Sequence, residues 1–186
     1  MTGYLVLFLF LAGVVYLLYR ATKKEEVMPT DEPPTFSTPD DFITWLYPEA
    51  MALRARHGID HRAVIAQAAL ETGWGRHPIV DPLTGKWSRN LFGIKGTGPA
   101  GSVRIWTHEY VNGKKVGKYD LFRAYHTVDE HLEDYVSLIQ RLYPAAWEGR
   151  EYYETYFQGL VSGPRRYATD PDYVKKLTSI VERRLL

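Results

Sequence analysis

The chain has 186 residues, with 23 Lys and Arg against 22 Asp and Glu, a formal net charge of +1, 45% hydrophobic and 14% aromatic residues, and no cysteine. These values exclude a disulfide framework, a thiolate metal site and a cysteine nucleophile. They also leave no electrostatic footprint for nucleic acid and argue against disorder.

The charge is segregated, because residues 1–19 carry none. The run Tyr4–Tyr19, YLVLFLFLAGVVYLLY, approaches the roughly 20 apolar residues that cross a bilayer as a helix. Tyr4, Tyr16 and Tyr19 stand near its ends, where amphipathic rings favour the interface. A cleaved signal peptide is the competing reading, but no Lys or Arg precedes the run and no small-x-small cleavage site follows it. Residues 1–20 are therefore expected to form a retained transmembrane helix, with residues 4–19 in the lipid bilayer. The basic flank at Arg20, Lys23 and Lys24 would leave the body on the cytoplasmic side. Residues 21–37, first charged and then Pro-rich, read as an extended tether. Residues 38–186 are long enough for one domain with its own core.

Thr38-Pro39-Asp40-Asp41 has the form of a helix start. The helix carries Phe42, Trp45 and Leu46 inward, and Pro48 is expected to begin a second segment that ends at Gly58. Asp60 caps a helix from His61 to about Gly73, whose Ala63, Val64, Ile65, Ala66, Ala68, Ala69 and Leu70 leave almost no polar face. Residues 76–101 read as irregular. Val103–Val111, Asn112-Gly113 and Lys114–Phe122 spell a β-hairpin. Thr127-Val128-Asp129-Glu130 is a capping box, opening a helix with Val128, Leu132, Tyr135, Val136, Ile139 and Leu142 on one stripe. Further helices are expected over Glu151–Leu160 and from Asp170-Pro171 onward, the last with Tyr173, Leu177, Ile180 and Val181 toward the core. The fold class is α+β: a mostly helical domain with a small β-hairpin lobe, preceded by one transmembrane helix.

Glu71 is the residue whose setting points to chemistry. A carboxylate near the end of an almost wholly apolar helix loses hydration and meets the negative end of the helix dipole. Both effects favour the protonated form, which a general acid needs near neutral pH. Gly73 and Gly75 would open room for a ligand, and Trp74 offers an aromatic face. A glutamate pointing to solvent at a frayed helix end is the alternative. The six histidines form no metal-ligand pattern: Gly58 separates His57 from His61, and His126 and His131 straddle a capping box. Neither metal nor cofactor is expected.

The segment Ala66-Gln67-Ala68-Ala69-Leu70-Glu71-Thr72-Gly73-Trp74-Gly75 resembles the active-site helix of the flagellar-type glucosaminidases of glycoside hydrolase family 73. Gly58-Ile59, Asn90-Leu91-Phe92-Gly93-Ile94-Lys95-Gly96, Thr107-His108-Glu109-Tyr110, Phe122-Arg123-Ala124-Tyr125 and Tyr167-Ala168-Thr169-Asp170-Pro171 continue the resemblance in family order. It implies a lysozyme-like fold whose helical and hairpin lobes flank a glycan cleft. It also implies an endo-β-N-acetylglucosaminidase acting on peptidoglycan glycan strands. By the same resemblance Glu71 is the general acid, Glu109 the second acidic position and Tyr167 a cleft residue near the scissile bond. Glu109 would activate water, with carboxylates about 6.5–9.5 Å apart for inversion or about 5–5.5 Å for retention, unless the substrate's acetamido group serves as nucleophile. Asn90 and the backbone of Phe92 and Gly93 are expected to hydrogen-bond an N-acetyl group, with the Phe92 ring in the core. Tyr125 is cleft wall or core. Trp74, Trp87 and Trp106 are candidate sugar-stacking platforms, burial being the commoner fate of tryptophan. Asp170 is expected to cap the last helix.

Rival readings are a muramidase or lytic transglycosylase on the same cleft, and a non-catalytic wall-binding module. The orientation of the anchor fits an enzyme of a phage virion with an internal membrane, in contact with that membrane or the capsid. The bacterial inner membrane is the other expected location. A phage endolysin with a releasable signal anchor competes, although such anchors are only weakly hydrophobic.

Overall fold

The computed structural model describes residues 32–111 and 114–186, with the side chains of 108–111, 114 and 115 excepted. The apolar run at 4–19, its basic flank and the Asn112-Gly113 turn lie outside the described residues. Among the described residues no helix is long and apolar enough to cross a membrane.

Helix α1 spans Pro39–His57. The Thr38 hydroxyl accepts from the Asp41 amide at 3.2 Å while the Asp41 carboxylate accepts from the Thr38 amide at 2.8 Å, closing the capping box. The expected break at Pro48 does not occur, and the helix runs through it. Two features explain this. Pro48 and Thr44, whose carbonyl the proline leaves unpaired, are exposed to water. Leu46, Ala50 and Leu53, on either side, are fully buried and hold both halves to one core. Phe36, which composition places in the tether, packs its ring against Phe42 and Trp45, each at 5.2 Å.

Helix α2, His61–Thr72, is the central element and packs against α1, α5 and α6 (the last two Tyr153–Val161 and Tyr173–Arg184). Ala63 through Ala69 are all buried, as the unbroken apolar run requires. The buried Asp60 caps it by accepting from the Arg62 amide at 3.0 Å, and the same carboxylate accepts from the Tyr153 amide at 3.1 Å. At the other end Gly73, Trp74 and Gly75 are all left-handed, with φ of 59°, 64° and 74°. The Thr72 hydroxyl secures this turn, donating to the Ala68 carbonyl and accepting from the Gly75 amide.

Strands β1 (Ser102–Val111) and β2 (Lys114–Arg123) pair antiparallel from Ser102 opposite Arg123 to Val111 opposite Lys114, the register a two-residue loop dictates. Helix α3, Val128–Leu142, starts at the Thr127 cap and buries Leu132, Tyr135, Val136 and Ile139. A short α4, Pro144–Glu148, precedes α5 and was not expected from the sequence. The last helix, α6, begins at Tyr173, two residues beyond the expected start at Pro171. Asp170 accepts from the Asp172 amide at 2.9 Å and pairs with Lys176, fixing the turn that leads into α6.

Candidate active site

Glu71 occupies the last turn of α2, at the edge of an open groove of about 580 Å³. Phe92, Gly93 and Tyr167 line the same groove, together with Lys95, Arg123, Arg141 and Arg165. The groove therefore gathers residues from α2, the 90–96 loop, the base of β2, the end of α3 and the segment after α5.

The Glu71 side chain has two faces. As a residue it is exposed to the groove, yet its Oε1 accepts a 2.7 Å hydrogen bond from the hydroxyl of Tyr173, which is buried on α6. Loss of hydration around the carboxyl pushes its pKa above the usual carboxylate range, and the Tyr173 hydrogen bond opposes the rise. The direction is the one that an apolar helix imposes on a carboxylate near its end. Burial and the adjacent Glu71 charge hold the Tyr173 phenol far above its ordinary pKa, so it remains a donor.

Beneath these residues lies a layer of phenols. The Tyr167 ring stacks on that of Tyr173 at 5.9 Å and tilts toward Tyr143 at 5.5 Å, while its hydroxyl donates to the Phe92 carbonyl at 3.2 Å. Gln67, one turn before Glu71, accepts from the Tyr135 hydroxyl, which also bonds to Tyr156. The Gln67 amide nitrogen has no hydrogen-bond partner in good geometry among the described residues, and its neighbours are the Tyr167 and Tyr173 phenols.

Other residues singled out in the sequence serve different ends. The Asn90 side chain is spent on the fold. Its Nδ2 donates to the carbonyls of Ile94 at 2.8 Å and Arg123 at 3.1 Å, and its Oδ1 accepts from the Ile94 amide at 3.0 Å. It thereby ties the 90–96 loop to the hairpin base instead of meeting a ligand. Tyr125 is fully buried and donates to Asp134 at 2.6 Å, so it is core and not cleft wall. The Trp74 ring packs edge-on against Phe42 at 6.3 Å, away from the groove lining. Gly73 and Gly75 make room for His77 and Phe36, not for a ligand: a Cβ at Gly75 would stand 2.4 Å from the Phe36 ring.

The Phe92 ring is buried and stacks on Tyr135 at 3.9 Å, so its backbone and that of Gly93 form the groove floor. Trp87 is buried under the Arg89 guanidinium, whereas Trp106 is 53% exposed on the hairpin. Glu109 pairs with Val116 across the hairpin, and its side chain lies outside the described residues. His131, fully buried, accepts from the Leu91 amide at 3.0 Å and steadies the approach to the 90–96 loop. In the sequence Tyr173 reads only as a core position of the last helix. The available signal was that an inward tyrosine brings a hydroxyl needing a partner.

Residues 47–186 match the Glucosaminidase family, described as mannosyl-glycoprotein endo-beta-N-acetylglucosaminidase. The peptidoglycan hydrolase FlgJ of Pseudomonas aeruginosa is 39% identical over 153 residues, covering 80% of this chain and 37% of the relative. A probable N-acetylmuramidase of Lactococcus lactis is 30% identical over 183 residues, covering 92% and 40%. The chain thus spans less than half the length of these relatives. A C-terminally truncated glycoside hydrolase domain of FlgJ from Salmonella typhimurium superposes with a TM-score of 0.63 at 37% identity, covering 78% of this chain and 97% of that one.

Proposed function

The chain belongs to the glucosaminidase family and has its lysozyme-like α+β fold, and from that premise we propose that it is a peptidoglycan hydrolase. It cleaves the β-1,4 bond from N-acetylglucosamine to N-acetylmuramic acid. The observation that carries the reading is Glu71: one carboxyl, open to a strand-sized groove, with its protonated form favoured by lost hydration. Tyr173 occupies Oε1, which leaves Oε2 to hold the proton and deliver it to the departing glycosidic oxygen. As the proton leaves, the Tyr173 hydroxyl stabilises the carboxylate that forms. The Tyr167 ring walls the groove beside Glu71, and the Phe92–Gly93 backbone meets the N-acetyl group. Glu109, on the hairpin arm, activates water on the opposite face of the sugar, or the substrate's own acetamido group attacks.

Borohydride reduction of digested peptidoglycan followed by mass spectrometry tests the bond. Glucosaminitol ends are expected, and muramitol or anhydromuramic ends would overturn the assignment. The muramidase reading is the second choice, favoured by the likeness to the Lactococcus lactis protein. Glu71→Gln is expected to abolish lysis while binding to sacculi persists. Unchanged lysis would make the domain's glycosidase role untenable.

For the location we propose a reading that rests on the sequence alone. In that reading residues 4–19 would anchor the chain as a single-pass membrane protein, and the basic flank at Arg20, Lys23 and Lys24 would keep the body on the cytoplasmic side. This topology suits packaging in the internal membrane of a phage virion, or residence in the bacterial inner membrane. Protease added to intact spheroplasts should leave the body uncut, and digestion from outside would reverse the orientation.

A further inference from the structure

Four cations line the groove that contains Glu71, and they are not equivalent. Arg123 is engaged by both carboxylate oxygens of Asp134, at 2.8 and 2.7 Å, and Lys95 is paired with Asp120. Arg141 and Arg165 are exposed and have no acidic partner among the described residues. The last turn of α3 gives a local reason for a cation at 141, since it faces the negative end of a helix. No helix end accounts for Arg165, which follows α5 on an irregular segment. Its charge acts on Tyr143, whose ring is 5.5 Å from that of Tyr167, so it stands on the phenol side of the groove. Two unpaired guanidinium groups lining one groove give it a positive field that an anionic ligand relieves.

Resting on the reading of the groove as a peptidoglycan-strand site, we propose that Arg141 and Arg165 form a carboxylate-binding rim for the stem peptides of the strand. The sugars themselves carry no charge where the lactyl groups are amide-linked to peptide, so the free carboxylates of a strand belong to its stems. Arginine presents a planar fork that matches a carboxylate with two hydrogen bonds, which lysine does not. The rim makes peptide-bearing strands with free carboxylates the preferred substrate class and acts on binding rather than on bond cleavage.

The test compares two substrates with the full-length protein in detergent: soluble peptide-bearing glycan fragments, and the same fragments with their carboxylates converted to amides. Both are first freed of phosphate-bearing wall polymers, so that any response belongs to carboxylates. Amidation is expected to raise the wild-type KM about three- to tenfold, the range for two exposed ion pairs, with the effect fading in high salt. In the double variant Arg141→Gln, Arg165→Gln the ratio between the two substrates should fall to about one, whereas Arg→Lys replacements should restore only part of it. A wild-type enzyme indifferent to amidation, or a double variant as sensitive as wild type, would overturn the rim. Failure of the wild type to release reducing ends from either substrate would instead strike the hydrolase reading, and the rim would fall with it.

Discussion

Replacing Tyr173 by Phe removes one hydroxyl from a buried ring and leaves the apolar packing of α6 intact. The hydroxyl donates to Glu71 Oε1 at 2.7 Å. A hydrogen bond to a charged group contributes about 1.5–3 kcal/mol net, and the lower end applies because Glu71 is open to the groove on one side. In the proposed reaction the carboxyl becomes a carboxylate as it releases its proton, so this bond strengthens toward the transition state. Its loss should lower kcat about tenfold, since roughly 1.4 kcal/mol corresponds to a factor of ten. The pH profile supplies the second readout. The Tyr173 bond opposes the rise in the Glu71 pKa, so removing it moves that pKa further up. The alkaline limb of kcat, where the acid is lost, should move to higher pH in Tyr173→Phe. Initial rates of reducing-end release from soluble strands between pH 4 and 9 measure both quantities. A fall in kcat with an unmoved alkaline limb would refute the coupling of Tyr173 to the Glu71 proton. A limb displaced to lower pH would reverse its sign.

Three other predictions concern stability. Because the folded-state pKa of Glu71 is raised, the folded chain holds its proton more tightly than the unfolded chain, and stability falls as pH rises through that pKa. Glu71→Gln should therefore melt no lower than wild type at pH 8, and its advantage should shrink at pH 4; scanning calorimetry at both values decides. His131 is fully buried with its pKa pushed down from 6.5 to about 3, so stability should be lost as pH falls below 6.5. The slope approaches about 1.4 kcal/mol per pH unit. Urea titrations across this range should find a shallower slope in His131→Gln, and an equal slope would point to other groups. Gly75→Ala should cost about 1–2 kcal/mol from its left-handed φ alone, with a further loss from the clash with Phe36. Adding Phe36→Ala should recover the clash but not the strain, and strict additivity in the double-mutant cycle would show that the ring does not block the Cβ.

What the sequence disclosed was what neighbouring residues decide. The caps at Thr38, Asp60 and Thr127 are local hydrogen bonds, and all three form where the pattern places them. The hairpin register follows from the two-residue spacer between its strands. Pro48 does not break its helix because packing of Leu46, Ala50 and Leu53 into the core outweighs one missing amide donor, and that packing is not local in sequence. The five residues of α4 are too few to show a period. At the site, Glu71 was legible because the apolar helix that desolvates it is its own sequence neighbourhood. Its partner Tyr173 lies 102 residues away and was legible only as a core position. Asn90 reads as available for a ligand in the sequence because nothing local marks its bonds to Ile94, four residues on, and to Arg123 at the hairpin base.

In the proposed role, the two faces of Glu71 answer a conflict built into general acid catalysis at a glycosidic bond. The acid must touch substrate, which exposes it to water, and must keep its proton, which requires lost hydration. The structure meets both demands by putting the carboxyl in the last turn of α2, at the edge of the groove on one side. On the other side α6 packs against α2, and its stripe of Tyr173, Leu177 and Val181 is buried. Hydration is therefore removed by a helix that is itself held by apolar contacts, and the single hydroxyl on that stripe aims the carboxyl. One turn earlier on α2, Gln67 accepts from the Tyr135 hydroxyl and sets its amide nitrogen beside the Tyr167 and Tyr173 phenols, which ties the same layer to the helix that carries Glu71. The stacked Tyr167 and Tyr173 rings and the one hydroxyl donated to Oε1 thus fix from the buried side the carboxyl that, in the proposed reaction, keeps the proton.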